Sequence, residues 1–103
     1  MGEARREVTI VNQRGLHARA SAKFVAAVAA MDDCRVCVTK DGHSAAGGSI
    51  LGLMMLGAAR GDTIEVTVTG EGADERLTEL VALVEDGFGE ELALALAVLL
   101  VPQ

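Results

Sequence analysis

One histidine stands where an alanine-rich segment begins, in the stretch GLHARAS at positions 15–21. The apolar residues that follow it have helical spacing, so His17 is predicted at the N-cap of a helix. A helix dipole disfavours positive charge at its N-terminus and therefore favours the neutral imidazole, which is the nucleophilic form. The unpaired backbone N–H groups of Ala18 and Arg19 would then lie where an anion can bind.

These features together suit the transfer of a phosphoryl group to His17. The first-turn N–H groups and the helix dipole would stabilise the added anion. Arg19 can add the hydrogen bonds of its guanidinium group to the phosphate oxygens. The alternative hypothesis is a polar capping histidine with no chemical role, since the sequence shows no Ser-His-Asp pattern, Walker loop or metal-ligand spacing.

The other reactive side chains give weaker signals. His43 follows a hairpin-type Asp-Gly pair and is expected at the surface. Cys34 and Cys37 are three residues apart in a strand-like run, so they point to opposite faces and a disulfide between them is unfavourable. We expect Cys34 in the core and Cys37 as a free thiol, which favours a reducing, cytoplasmic setting. No metal or cofactor is expected.

The pattern of apolar residues predicts elements in the order β-α-β-β-α-β-α. Phe24 and Phe88 are expected on the apolar stripes of the first and last helices, with Gly87 and Gly89 ending or fraying the last one. One face of the strands is polar, which predicts an antiparallel sheet covered on one side by helices. The predicted strands are 7–11, 34–38, 43–46 and 63–69, and the predicted helices are 18–31, 49–59 and one beginning after position 72.

The second helical segment, SILGLMMLGAA at 49–59, is apolar nearly all round, and Ser49 is expected as its N-cap. The residues expected to point inward are Ile50, Leu53 and Leu56. The residues then left exposed are Leu51, Met54 and Met55. An exposed methionine-rich surface suits docking with partner proteins. The alternative is that all of these side chains are buried in the core.

Charge and hydropathy limit the possible partners. Nine Lys and Arg residues against fifteen Asp and Glu give a net charge of −6, which argues against nucleic acid and anionic membranes. The beginning MGEARREV lacks the apolar stretch of a signal peptide. The apolar run LALALAVLLV at 92–101 is much shorter than the ~20 residues that span a bilayer. We expect a domain over 1–90 and an extension over 91–103 that packs on its own domain or mediates self-association.

Two motifs, GLHARASAKFV and GGSILGLMMLGAARGDTIEVTVTGEGADE, closely resemble the HPr family, the phosphocarriers of the bacterial phosphoenolpyruvate-dependent phosphotransferase system. The resemblance covers about residues 7–89 and includes the order of the elements. It implies an α+β open-faced β-sandwich, in which three helices cover one face of a four-stranded antiparallel sheet. It also implies a phosphate carrier rather than an enzyme, with an enzyme I-type donor and a IIA-type acceptor as partners.

The same resemblance assigns roles to residues of this chain. His17 matches the histidine that is phosphorylated on a ring nitrogen, and Arg19 matches its active-site partner. Ser49 matches the regulatory serine that HPr kinase/phosphorylase modifies in many members of the family. The surface on which the partner proteins dock matches Ile50, Leu51 and Met54.

Ala20 stands where the sugar-type members carry a proline, and the motifs are more similar to the proteobacterial branch linked to nitrogen or regulatory phosphorelays. Sugar transport and nitrogen regulation therefore both stay open as outputs, as does the identity of the acceptor. The competing hypothesis is a regulatory interaction module that docks through Ile50, Leu51 and Met54 without carrying phosphate. Such a module needs neither His17 nor Arg19, so the presence of both favours the carrier.

Overall fold

The structure is a computed structural model, and it describes residues 2–90 of the chain. The predicted order of the elements is confirmed, and a short 3₁₀ turn follows the last helix. The elements are β1 (Gly2–Thr9), α1 (Ala18–Ala29), β2 (Cys34–Lys40), β3 (His43–Ala46), α2 (Ile50–Met55), β4 (Thr63–Gly70), α3 (Ala73–Glu85) and the 3₁₀ turn Gly87–Gly89.

The four strands form one antiparallel sheet in the order β1-β4-β2-β3. Alternation along β4 buries Ile64, Val66 and Val68 on the face that the helices cover, and Thr9 and Arg35 are exposed. The predicted α+β open-faced sandwich is therefore confirmed. Within this fold the loop before α1, the segment after α2 and the turn after α3 come together beside His17.

The first strand begins earlier than predicted, at Gly2 instead of position 7, and ends at Thr9. The part of the strand before position 7 carries Arg5 and Arg6 and only one small apolar residue on the core face, so it lacks a hydrophobic signal. Backbone hydrogen bonds to β4 hold this part in the sheet. Beyond the strand, Ile10 is fully buried as predicted, and its N–H donates to the carbonyl of Asp62 at 2.8 Å.

The first two helices both end earlier in the sequence than predicted. α1 ends at Ala29 instead of position 31, because the next two N–H groups bond to carbonyls three residues back and tighten the turn. α2 ends at Met55 instead of position 59. Gly57 adopts a positive φ of 65° and its N–H donates to the carbonyl of Met54 at 3.1 Å, which terminates the helix as glycine commonly does.

The prediction that Ile50 points inward is wrong, because 41% of this residue is exposed. Ile50 and Met54 are four residues apart and share one face of a short helix, and that face lies outside. Leu53 is buried and Leu56 half-buried. The predicted exposure of Leu51, Met54 and Met55 is confirmed, so the alternative of a fully buried segment is wrong.

The aromatic residues and the thiols lie close to where they were expected. Phe24 and Phe88 are both buried, but Phe88 belongs to the 3₁₀ turn, with a φ of 58°, and not to the stripe of α3. Cys34 packs half-buried against the core, and both Cys34 and Cys37 are free thiols. His43 is exposed, as predicted.

The extension predicted over 91–103 lies outside the described residues. No helix in the described part of the chain is long and apolar enough to cross a membrane.

Candidate functional site

His17 is the N-cap residue of α1, as the sequence predicted. Its backbone is extended, with φ −72° and ψ 179°, and its Nδ1 accepts a hydrogen bond from the backbone N–H of Arg19 at 3.2 Å. α1 has twelve residues, so the imidazole stands at the positive end of a helix of ordinary length. Ala18 and Arg19 are both exposed at this end.

The loop before α1 is fixed against the segment that follows α2. The N–H of Leu16 donates to the carbonyl of Ala58 at 2.9 Å, and Ser21 Oγ donates to the carbonyl of Leu16 at 3.2 Å. Gly15 has a φ of 62°, and a Cβ there would stand 2.1 Å from the Ala58 oxygen. Only glycine adopts this positive φ readily and has no Cβ to clash with the Ala58 oxygen. Gly15 therefore determines the path of the chain just before His17.

The second ring nitrogen of His17 is hydrogen-bonded to a carboxylate from the far end of the fold. Nε2 contacts Oε1 of Glu90, and each of the two side chains is only 17% exposed. Because Nδ1 already accepts a hydrogen bond, the ring proton belongs on Nε2, which donates it to Glu90. The imidazole therefore has a defined tautomer and orientation.

Two further side chains hold Glu90 in place. Asn12 is fully buried, and its Nδ2 donates to the carbonyl of Gly15 at 2.8 Å and to Glu90 Oε2 at 3.1 Å. Lys23 Nζ donates to the carbonyl of Phe88 at 2.7 Å and so ties the 3₁₀ turn to α1. Asn12 thus links the glycine loop before His17 directly to the carboxylate that binds the ring.

Glu90 keeps its negative charge in this environment. Burial by itself raises the pKa of the carboxyl group, but the hydrogen bonds from His17 and Asn12 lower it, as does electrostatic attraction to His17 and Lys23. The net result is a pKa below the ordinary value of 4.5. The side chain that accepts the hydrogen bond from Nε2 of His17 is therefore an ionised carboxylate.

The predicted regulatory and docking residues lie at the start of α2 and along it, and α2 packs against α1. Ser49 is the N-cap of α2, with its Oγ accepting a hydrogen bond from the N–H of Gly52 at 3.0 Å. The predicted docking residues are exposed on α2 by 41% (Ile50), 67% (Leu51) and 40% (Met54). The hydrogen bond from Leu16 to Ala58 connects the segment after α2 to the His17 loop.

Three residues of the site were not predicted from the sequence. From the sequence, Asn12 is expected to be an ordinary turn residue. Lys23 is expected on the exposed side of the first helix, and Glu90 is expected only to end the domain. Glu90 is 73 positions from His17 and carries no local signal. The hint in the sequence is Phe88, a lone aromatic residue between two glycines, which anchors the turn that carries Glu90. Within residues 2–90 no group of His, Cys, Asp and Glu is arranged to hold a metal ion.

One protein-family model matches most of this chain. The model described as "PTS HPr component phosphorylation site" matches residues 4–86, which include His17, Ser49 and α2. The chain belongs to the HPr family. The resemblance that the two motifs indicated is therefore confirmed.

Curated relatives of this chain carry the names HPr and NPr. The chain is 45% identical to the phosphocarrier protein HPr of Pseudomonas aeruginosa, over 82% of its own length and 93% of that protein's. It is 39% identical to the phosphocarrier protein NPr of Shewanella violacea, over 87% and 98% of the two chains. Solved structures agree: HPr-C-His from Thermoanaerobacter tengcongensis matches with a TM-score of 0.77 and 34% identity, over 86% of this chain and 97% of that one.

This HPr-family protein is a phosphocarrier of the phosphotransferase system, and it is a carrier rather than an enzyme. Its family implies partners of that system, such as enzyme I and IIA-type proteins. The names of the relatives do not favour the alternative of a regulatory module that carries no phosphate. The role of each individual residue is argued below.

Proposed function

We propose that His17 receives the phosphoryl group on Nδ1 from an enzyme I-type donor and passes it to a IIA-type acceptor. The observation that carries the proposal is the pair of hydrogen bonds on the imidazole. Nδ1 accepts from the N–H of Arg19, and Nε2 donates to Glu90. This pairing leaves the lone pair on Nδ1 and the proton on Nε2, so Nδ1 is the nucleophile.

The transfer requires one rearrangement, because the Nδ1 lone pair that accepts the hydrogen bond from the N–H of Arg19 must be freed to form the bond to phosphorus. As Nδ1 attacks the phosphorus atom, the bond from phosphorus to the donor breaks and the Nδ1–P bond forms. The N–H groups of Ala18 and Arg19 then donate to the phosphoryl oxygens, at the helix end where the dipole favours negative charge by about 0.3–1 kcal/mol. The exposed guanidinium of Arg19 adds charge-assisted hydrogen bonds to the same oxygens.

Glu90 supports the onward step. Its ionised carboxylate stabilises a protonated ring through Nε2, and a protonated phosphoimidazole releases its phosphoryl group more readily than a neutral one. The hydrogen bond from Asn12 and the anchored 3₁₀ turn hold the carboxylate at this hydrogen bond. Glu90 is therefore a positioning and electrostatic group, and the nucleophile is the ring itself.

The partner proteins dock on the exposed face of α2. We use "α2 patch" for its four exposed apolar side chains, which are Ile50, Leu51, Met54 and Met55. Methionine side chains adapt to differently shaped surfaces, which suits a carrier that must bind both a donor and an acceptor at the same place. An exposed apolar patch of this kind accounts for contact with both partners in turn.

Ser49 is the regulatory site in this proposal, and HPr kinase/phosphorylase is the partner that modifies it. A phosphoserine carries about −1.5 to −2 charge, which the N-terminus of α2 tolerates. The same charge lies next to Ile50 and Leu51, where burial against an apolar partner surface costs several kcal/mol unless the charge is paired. Phosphorylation is thus expected to weaken docking without unfolding the helix.

One residue of the sequence and the two free thiols bear on what the phosphate relay controls and where in the cell it acts. Ala20, in place of the proline of sugar-type members, favours a nitrogen or regulatory output over sugar uptake. Relatives named HPr and relatives named NPr both match the chain, so these names leave both outputs open. A cytoplasmic location is supported by the free thiols Cys34 and Cys37 and by the phosphotransferase partners.

The experiment that tests the proposal uses the two histidines of the chain. The full protein, His17→Ala and His43→Ala are each incubated with phosphoenolpyruvate and the cognate enzyme I, and acid-labile phosphate is measured. We expect the parent and His43→Ala to be labelled equally and His17→Ala not to be labelled. Undiminished labelling of a folded His17→Ala protein would refute the assignment.

A further inference from the structure

A short segment between α2 and β4, positions 58–62, holds both ends of the loop before α1. At the start of that loop, the N–H of Ile10 donates to the carbonyl of Asp62 at 2.8 Å. At its end, the N–H of Leu16 donates to the carbonyl of Ala58 at 2.9 Å. The segment 58–62 therefore fixes the loop from which the chain enters the phosphoryl-transfer site.

One peptide group of this segment contacts the two residues that precede His17. The carbonyl of Ala58, which accepts from the N–H of Leu16, and the N–H of Ala59 belong to the same planar peptide group. Gly15 lies against this group, because a Cβ there would stand 2.1 Å from the Ala58 oxygen and 2.9 Å from the Ala59 Cα. The orientation of this one peptide plane thus determines where the chain lies immediately before the imidazole.

The side chain of Asp62 holds the same peptide group from the opposite side. Its Oδ2 accepts a hydrogen bond from the N–H of Ala59 at 2.9 Å, and its own N–H donates to the carbonyl of Ala59 at 2.9 Å. Lys40 Nζ lies 3.8 Å from the same Oδ2. In a trans peptide the N–H and the C=O point in opposite directions, so Asp62 and Leu16 fix the plane from its two sides.

We propose that Asp62 is a positioning residue for phosphoryl transfer, which acts on His17 through the Ala58–Ala59 peptide group and Leu16. The effect on the reaction rests on the role proposed above for His17, whereas the placement of Leu16 by Asp62 does not. A nucleophile in phosphoryl transfer must stand in line with the bond that breaks, and a displacement of about 1 Å can slow a reaction about a hundredfold. Asp62 thus affects the transfer rate through two hydrogen bonds and one peptide group.

The competing explanation is that Asp62 only closes the turn before β4. In that case its replacement lowers the free energy of unfolding and leaves kcat unchanged. The positioning role requires a lower kcat in a folded protein, with the same KM for enzyme I, because the exposed side chains of α2 stay intact. It also requires that the position of the acceptor oxygen, and not its charge, carries the effect.

Substitutions of Asp62 separate the position of its oxygen from its charge. Asp62→Asn keeps an acceptor oxygen at the same place and loses the charge. Asp62→Glu keeps the charge and moves the oxygens one methylene group further out, and Asp62→Ala removes them. Asp41→Asn is the matched control, because it removes an exposed carboxylate that also contacts Lys40, at 3.1 Å, and lies outside the segment 58–62.

The full-length proteins are compared by thermal unfolding, by NMR and by steady-state kinetics with enzyme I. We expect Asp62→Asn and Asp41→Asn to keep the kcat of the parent. In Asp62→Glu and Asp62→Ala we expect a changed amide proton shift of Leu16 and changed ring ¹⁵N shifts of His17. For these two variants kcat should fall about tenfold at an unchanged KM.

Each contrary result has a distinct meaning. A changed Leu16 shift with the kcat of the parent overturns the positioning role and leaves His17 as the acceptor. An unchanged Leu16 shift overturns the connection through the peptide group. A kcat that falls in Asp62→Asn as far as in Asp62→Ala overturns the proposal in favour of an effect of charge. Phosphate on a residue other than His17 in the parent refutes the proposed function itself, and that result needs no Asp62 variant.

Discussion

The carboxylate of Glu90 binds Nε2 of His17 across 73 positions of sequence. This contact joins the turn after the last helix to the N-cap of the first, and Asn12 closes the connection by binding both Glu90 and Gly15. The imidazole is thus held from both sides, by a backbone N–H at Nδ1 and by a carboxylate at Nε2. The tautomer of the ring, and with it the nucleophilic atom, follows from this pair of contacts.

Replacing Glu90 with Ala is expected to slow phosphoryl transfer without unfolding the domain. A hydrogen bond to a charged group contributes about 1.5–3 kcal/mol, so its loss should lower kcat roughly ten- to a hundredfold, with KM for enzyme I nearly unchanged. Glu85→Ala removes an exposed carboxylate at the end of α3 and serves as the control. A Glu90→Ala protein that transfers phosphate as fast as Glu85→Ala removes the carboxylate from the mechanism.

Glu90 also predicts a pH dependence of stability. Its pKa is lowered below 4.5 in the folded protein, so its contribution to the free energy of unfolding is fully present above the unfolded value of about 4.5. That contribution is lost as the pH falls through the folded pKa. The difference in unfolding free energy between the parent and Glu90→Gln should therefore shrink from about pH 6 to about pH 3. Denaturant unfolding measures it, and a difference that grows on acidification contradicts the assignment.

Arg19→Ala is expected to fold normally and to accept phosphate on the same atom more slowly. Its guanidinium is exposed at the helix end and makes no ion pair among the described residues, so folding loses little. Loss of charge-assisted hydrogen bonds to the phosphoryl oxygens should lower the transfer rate roughly ten- to a hundredfold. Arg35→Ala, on the polar face of the sheet, is the control, and equal rates for the two variants exclude Arg19 from the reaction.

Substitutions at Ser49 separate capping from docking. Ser49→Ala loses the hydrogen bond to the N–H of Gly52 and should lower the free energy of unfolding by about 1 kcal/mol. Ser49→Asp keeps a capping oxygen and should retain stability, yet its charge beside the α2 patch should raise KM for enzyme I severalfold. Thermal unfolding and steady-state kinetics check both expectations. Equal KM values for the two variants contradict the regulatory role.

The fold could be predicted because its signals are local. Alternating apolar residues mark β2 and β4, and the helical stripe around Phe24 marks α1. The part of β1 before position 7 could not be predicted, since Arg5 and Arg6 pair through the backbone and show no apolar pattern. Ile50 was misplaced because helix periodicity defines a face but does not say which face of a six-residue helix meets the core.

Part of the candidate site could likewise be predicted from local sequence, and part of it could not. The N-cap position of His17 and the cap at Ser49 follow from neighbouring residues, and the structure agrees with both. The contact of Glu90 with His17 depends on how the end of α3 turns back over α1, which involves Phe88 at positive φ and the hydrogen bond from Lys23. A tertiary contact of this kind produces no periodic pattern in a single sequence, so it could not be predicted.

The most direct test of the central claim is to identify the ring nitrogen that carries phosphate. The protein labelled with ¹⁵N in its histidines is phosphorylated with phosphoenolpyruvate and enzyme I, and long-range ¹H–¹⁵N spectra distinguish Nδ1 from Nε2. We predict a single phosphorylated histidine, His17, with phosphorus on Nδ1 and a proton on Nε2. Phosphorus on Nε2 of His17, or on His43, would contradict the account.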